Sequence, residues 1–180
     1  MPNYLVLLRG VNVGGYGRVP MADLRRLLEG LGHGAVSTYL QSGNALFTSA
    51  RTDEAALGTE IEQALARELG VTTRCLLRDR AALERIVAGN PLAGIATDPA
   101  RMHVFFLQRP PDTAALAAVD PATYAPVVLA PGEREVFGWF PDGMGRSKLT
   151  QAFFEKRLAA GVATARNWNT VTSLLVQMGG

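Results

Sequence analysis

The chain has a single cysteine, Cys75, which rules out an internal disulfide and any cysteine-based metal cluster. It has only two histidines, His33 and His103, and they show no metal-ligand spacing with that thiol. Lysine is nearly absent: sixteen of the 18 basic residues are Arg, and only Lys148 and Lys156 are Lys. No apolar run is long enough to span a membrane, and the first apolar run breaks at Arg9 without a preceding basic region. The expectation is a cytoplasmic protein with no membrane partner. Eighteen basic residues against 16 acidic ones leave a net charge of +2, too little for a long-range field that captures duplex DNA. A local basic pocket is still compatible with that balance, because Arg stays protonated and forks onto carboxylate or phosphate.

Hydrophobic residues make up 48% of the 180, a globular composition sufficient for one domain or two small halves. Tyr4 to Val11 is strand-like. Met21, Leu24, Leu27, Leu28 and Leu31 recur at helical spacing, and Gly32 and Gly34 end that helix. Val36, Thr38 and Leu40 alternate with Ser37, Tyr39 and Gln41, so a strand is expected there. Ser42-Gly43-Asn44 turns the chain, and Ala45 to Thr48 returns it. Leu57, Ile61, Leu65 and Leu69 mark a second helix closed by Gly70, and Val71 to Leu77 reads as the next strand. Asp79 can cap a short helix that Asn90-Pro91 ends. The same order then returns. Met102 to Gln108 is a strand, and Pro110-Pro111-Asp112 starts a helix through Val119. Pro126 to Leu129 and Glu135 to Phe140 form a hairpin. Ser147 can cap a helix through Leu158, Val162 to Ala165 is a short strand, and Asn167 caps a terminal helix.

The β-α-β-β-α-β order is the ferredoxin-like pattern. The expected fold is therefore α+β with two ferredoxin-like halves, the second modified and extended by a C-terminal helix. The divisions are 1–78, a short helix and linker over 79–101, and 102–180, with a single continuous sheet as the competing layout.

Four polar segments sit at element junctions. Arg9-Gly-Val-Asn12-Val-Gly14-Gly15-Tyr16-Gly17-Arg18 joins a strand to a helix, where glycine lets backbone N–H groups approach an anion and the helix presents its positive end. The alternative is a long loop that needs glycine for positive φ angles. It is neither a Walker loop nor a dinucleotide fingerprint. Gln41, Ser42 and Asn44 can present polar groups to a ligand or simply build a tight turn. Gly143-Met-Gly-Arg146-Ser147-Lys148 offers a hydroxyl, an ammonium and backbone N–H groups at an expected helix start, or a plain N-cap with a solvated Lys. Arg166, Asn167, Trp168 and Asn169 can fix and stack a ring, or cap and anchor a helix. No nucleophile elbow, paired carboxylates or general base is identifiable.

Leu8 to Gly15, Val19 to Arg25, Thr38 to Asn44, Asn90-Pro91, His103 to Leu107, Arg146 to Leu149 and Arg166 to Thr170 resemble the bacterial domain of unknown function 1697 family, in order along nearly the whole chain. The resemblance implies a ferredoxin-like α+β fold and no assigned activity. Its polar motif positions here are Arg9, Asn12, Gln41, Ser42, Asn44, Ser147, Lys148, Arg166, Asn167 and Asn169.

The leading expectation is a small anionic ligand, a nucleotide or phosphate ester, held in one polar pocket between the halves where Arg9, the 41–44 turn, Lys148 and Arg166 converge. Cofactor and oligomeric state are not indicated. An acylphosphatase-like hydrolase is an alternative by fold analogy, with Arg9 or Arg18 and Asn44 in the working positions. A structural or protein-interaction module is another. Nucleic acid ranks low, since Leu5, Leu7 and Ala45 stand where stacking rings would be needed.

Overall fold

The computed structural model describes residues 1–15 and 17–179. Tyr16, part of the loop expected to cradle an anion, and Gly180 lie outside the described residues. The chain divides into two compact units, Met1–Glu84 with Leu174–Gly180, and Arg85–Ser173.

The first unit runs β1 (Asn3–Leu8), α1 (Met21–Gly30), β2 (Gly34–Tyr39), β3 (Asn44–Thr48), α2 (Glu54–Leu69) and β4 (Cys75–Asp79), then enters α3 (Arg80–Ala88). Its antiparallel sheet has the order β2-β3-β1-β4. Period-two alternation sends Tyr4, Val6 and Leu8 to the same core as Leu24, Leu28, Leu57, Ile61 and Leu65 from α1 and α2. Leu5, Leu7 and Leu46, of opposite parity, are buried as well. Asp53 caps α2 by accepting from Ala56 N at 3.0 Å, and Gly70 ends it in the left-handed region at φ 65°.

The second unit contains β5 (Met102–Leu107), α4 (Thr113–Ala117), α5 (Pro121–Tyr124), β6 (Val128–Pro131), β7 (Glu135–Trp139), α6 (Gln151–Leu158) and β8 (Ala163–Asn167), with α7 (Trp168–Met178) closing the chain. Its sheet order, β6-β7-β5-β8, repeats the first. The core gathers Phe105, Leu107, Val136, Phe140, Phe154 and Leu158. The fold is thus two ferredoxin-like halves plus a C-terminal helix.

The repeat extends to individual side chains. β4 ends Leu77-Arg78-Asp79 and β8 ends Ala165-Arg166-Asn167. Arg78 faces Leu5 of β1, and Arg166 faces Val104 of β5, in matching register. Each arginine is buried and donates Nη1 to the preceding carbonyl at 2.8 Å, Leu77 O or Ala165 O. Each following Asx accepts from the backbone three residues on: Asp79 from Ala82 N at 2.8 Å, Asn167 from Thr170 N at 2.9 Å. A helix carboxylate also takes the N–H of each strand's first residue, Glu62 from Cys75 at 2.9 Å and Glu155 from Ala163 at 3.0 Å.

β1 ends at Leu8 rather than Val11, and four further local expectations change. β2 stops at Tyr39, because Leu40 turns into positive φ (60°) and its side chain is exposed. β4 begins at Cys75 rather than Val71, since Val71 N still donates to Leu65 O of α2 and the backbone meets the end of β1 only at Arg74, whose carbonyl accepts from Arg9 N. Ser147 is not a helix N-cap: its Oγ accepts from Leu149 N at 3.1 Å in a local turn. Thr150 caps α6 instead, accepting from Phe153 N at 3.2 Å. The expected helix from Pro110 to Val119 is α4 alone, and α5 follows separately with its own Asp120 cap.

Candidate functional site

The segment expected to cradle an anion forms one wall of a cleft. Because β4 runs antiparallel to β1, the residues before β4 lie beside those after β1. Arg9 N donates to Arg74 O at 2.9 Å, and Thr73 Oγ1 donates to Arg9 O at 2.6 Å. A cavity of about 660 Å3 opens between Arg9–Val11, Gly17 and Arg18 on one side and Leu69–Arg74 on the other. Three guanidinium-bearing residues line it. Arg74 pairs with Glu62 at 3.1 Å. Arg18 is exposed and makes no ion pair among the described residues.

The loop's shape comes from backbone torsions. Gly10, Gly14, Gly15 and Gly17 all have φ between 58° and 80°. A Cβ at Gly14 or Gly15 would meet nothing within 4 Å, so their requirement is dihedral rather than steric. Asn12, at φ 57°, holds the loop together. Its Nδ2 donates to Val19 O at 2.8 Å and Gln41 O at 2.7 Å, while its Oδ1 accepts from Val19 N at 2.8 Å. The Asn12 amide thereby ties the loop after β1 to the β2–β3 turn.

That turn is built as tightly. Asn44 is fully buried and donates Nδ2 to Tyr39 O at 3.0 Å and Ser42 Oγ at 2.8 Å. Gly43 sits at φ 81°, where an added Cβ would lie 2.6 Å from Val11 Cγ2 and 2.8 Å from Leu8 Cβ. The Gln41 side chain is exposed, and only its carbonyl is engaged by Asn12. So Arg9, Asn12, Gly14, Gly15, Gln41, Ser42 and Asn44 are brought into one neighbourhood. Within it Arg9 lines the cleft, while the two asparagine amides are spent on the scaffold.

The remaining expected site residues belong to the second unit. Ser147 and Lys148 line a separate cavity with Arg146 and Asp142, and Arg166 is not among its walls. The buried Arg166 guanidinium donates to Thr164 Oγ1 at 2.7 Å as well as to Ala165 O, and burial draws its pKa down to about 10. Asn167 spends its Oδ1 as the α7 cap, Trp168 is half-buried with its carbonyl accepting from Thr172 Oγ1 at 2.9 Å, and Asn169 is exposed.

Burial is the main cause of the shifts at His33, His103 and Cys75. His33, stacked on Phe47 with ring centroids 4.5 Å apart, is pushed down by desolvation, and its buried Nε2 has no partner among the described residues. His103, edge-on to Phe140, is likewise lowered by desolvation. Burial raises the Cys75 thiol well above its ordinary range, with Glu62 pushing the same way. Among the described residues no three His, Cys, Asp or Glu side chains gather to hold a metal ion, and no helix is long and apolar enough to cross a membrane.

Thr73 and Arg74 are the site residues that sequence reasoning did not single out. Their β-prone setting reads as strand. The usable signal was topological: in this strand order the residues leading into β4 must flank the loop after β1.

A family model described as "Protein of unknown function (DUF1697)" matches residues 1–137. The conserved bacterial protein SP0830 from Streptococcus pneumoniae has a similar solved structure, with TM-score 0.72, 26% identity and 98% of each chain covered. No curated protein matches the chain.

Proposed function

The chain belongs to the DUF1697 family, and we propose that it binds a small phosphorylated molecule, a phosphate ester or nucleotide, in the cleft between the loop after β1 and the segment leading into β4. The carrying observation is the exposed Arg18 guanidinium facing a roughly 660 Å3 polar cavity with Arg9 and Arg74. A cavity of that size lies within the roughly 300–1,000 Å3 range of small-molecule sites. Guanidinium groups fork onto phosphate oxygens, and glycine-rich backbone admits close approach of an anion. The reading places the ligand within the first half alone, instead of in a pocket shared with Lys148 and Arg166. The acylphosphatase-like alternative loses its water-positioning amide, because Asn44 is fully buried and donates within its own turn.

Isothermal titration with a panel of nucleotides and phosphate esters tests the proposal. One member should bind, and Arg18→Ala should weaken it about tenfold or more, the scale of a lost charge-assisted contact. A panel without a binder, or an Arg18→Ala variant that binds as the wild type does, overturns it.

A further inference from the structure

The second half carries a cavity of a different chemistry. α4, α5 and β6 enclose about 330 Å3 lined chiefly by apolar groups, among them Leu116, Val119, Leu129 and Leu149. A second cavity of about 470 Å3 adjoins it and holds Arg146, Lys148 and Asp142. Tyr124 and Val127 line both, so the two are parts of one groove. The chain itself makes the junction: Lys148 faces the polar part and its neighbour Leu149 the apolar part. The Tyr124 ring is held against Phe153 at 5.8 Å between centroids, which fixes the wall the two parts share.

Charge decides what suits the groove. Arg146 and Lys148 are exposed and make no ion pair or hydrogen bond among the described residues. The polar part sets Arg146 and Lys148 against the Asp142 carboxylate, one net positive charge, while Asp120, which lines the apolar part, spends its carboxylate oxygens on Ala122 N and Thr123 Oγ1 at the start of α5. A neutral apolar ligand would leave both cations unused, and an inorganic anion would leave the apolar end unfilled. The geometry points to an amphiphilic monoanion: a short acyl or aryl carboxylate with its body against Leu116, Val119 and Leu129 and its head against Arg146 and Lys148. Apolar burial supplies most of the affinity, and the exposed cations orient the head. This site is distinct from the cleft in the first half and calls for a different ligand class.

Amide NMR spectra of the isotope-labelled full chain, titrated with octanoate, test the assignment. Resonances of Ala117 and Leu129 at the apolar end and of Lys148 at the polar end should move along one binding curve. The double variant Arg146→Met with Lys148→Met should weaken octanoate roughly fivefold, as expected for solvent-exposed charges. It should leave binding of the neutral octanol unchanged. Ala117→Trp, at an exposed helix position lining the apolar end, should block both ligands without disturbing the fold. Shifts confined to one end, unchanged octanoate affinity in the double variant, or no shifts at all would overturn the assignment. So would loss of octanoate binding in Arg18→Ala, which would move the binding to the first half.

Discussion

The two halves share a scaffold and part company at one place, the chain leaving their first strand. Leu8 opposes Cys75 and Leu107 opposes Ala163, so Arg9 and Gln108 are equivalent positions. Their backbones do the same thing: Arg9 N reaches Arg74 O at 2.9 Å and Gln108 N reaches Val162 O at 2.9 Å. Their side chains do not. Gln108 Oε1 accepts from Val162 N at 3.2 Å, and a Cβ on Gly161 would meet that amide at 2.3 Å. The glutamine thus closes over the segment after α6. In the first half, Arg9 and a glycine loop line a cleft at the same point. Paired Arg-Asx strand ends and paired helix carboxylates are what a duplicated framework keeps. The proposal rests on what the duplicate does not keep.

The strongest way to break the comparison is through the packing of the β2–β3 turn against the loop after β1. Gly43→Ala puts a methyl against Val11 and Leu8 at a left-handed backbone position. It should cost about 2–4 kcal/mol, read as a lowered urea midpoint. A loss below about 0.5 kcal/mol would show that the loop and turn are not packed as described.

A smaller effect sharpens the equivalence of the two helix ends. α2 ends on Gly70 at φ 65°, whereas α6 ends on Ala159 at φ 51°, both left-handed. Ala159→Gly should therefore stabilise the protein by up to about 1 kcal/mol, while Gly70→Ala should cost about the same. Equal signs for the two substitutions in thermal melts would refute the pairing.

The smallest effect is on the acid side. Burial lowers the pKa of both His33 and His103 from 6.5, so the unfolded chain takes up protons first as pH falls. Their contribution is intact above about 6.5 and is lost as pH drops toward the folded-state values. The double variant His33→Phe with His103→Phe should show a flatter dependence of urea midpoint on pH below that point than the wild type. Parallel curves would remove the histidines from the account.

The element order of both halves was legible because periodicity survives where a face is buried: Leu24, Leu27 and Leu28 on α1, or Phe105 and Leu107 on β5. Asp79 and Asn167 were legible as caps because an Asx before an apolar helical run has a local chemical reason. The start of β4 is not legible at Cys75, because Val71-Thr72-Thr73 has β propensity and only the neighbouring β1 loop decides that this stretch leads into the strand instead of forming it. The cap at Thr150 in place of Ser147 is not legible for a similar reason: either hydroxyl can accept from a backbone N–H, and the choice lies in torsions the sequence does not display. The equivalence of Arg78 and Arg166 is not legible, because a charged residue late in a strand reads as its exposed end. Of the candidate site, Arg9 and its glycines were visible locally, whereas Thr73 and Arg74 join only through sheet topology.

Cys75 Sγ lies 3.5 Å from Gly58 O, with its thiol proton held well beyond neutral pH, on the residue next to Arg74. A thiol so protonated and enclosed reacts with alkylating reagents only when β4 detaches. The sole sulfhydryl of the chain is therefore a built-in clock for that opening. Whatever occupies the neighbouring cleft should slow it, giving a readout of occupancy that needs no knowledge of turnover.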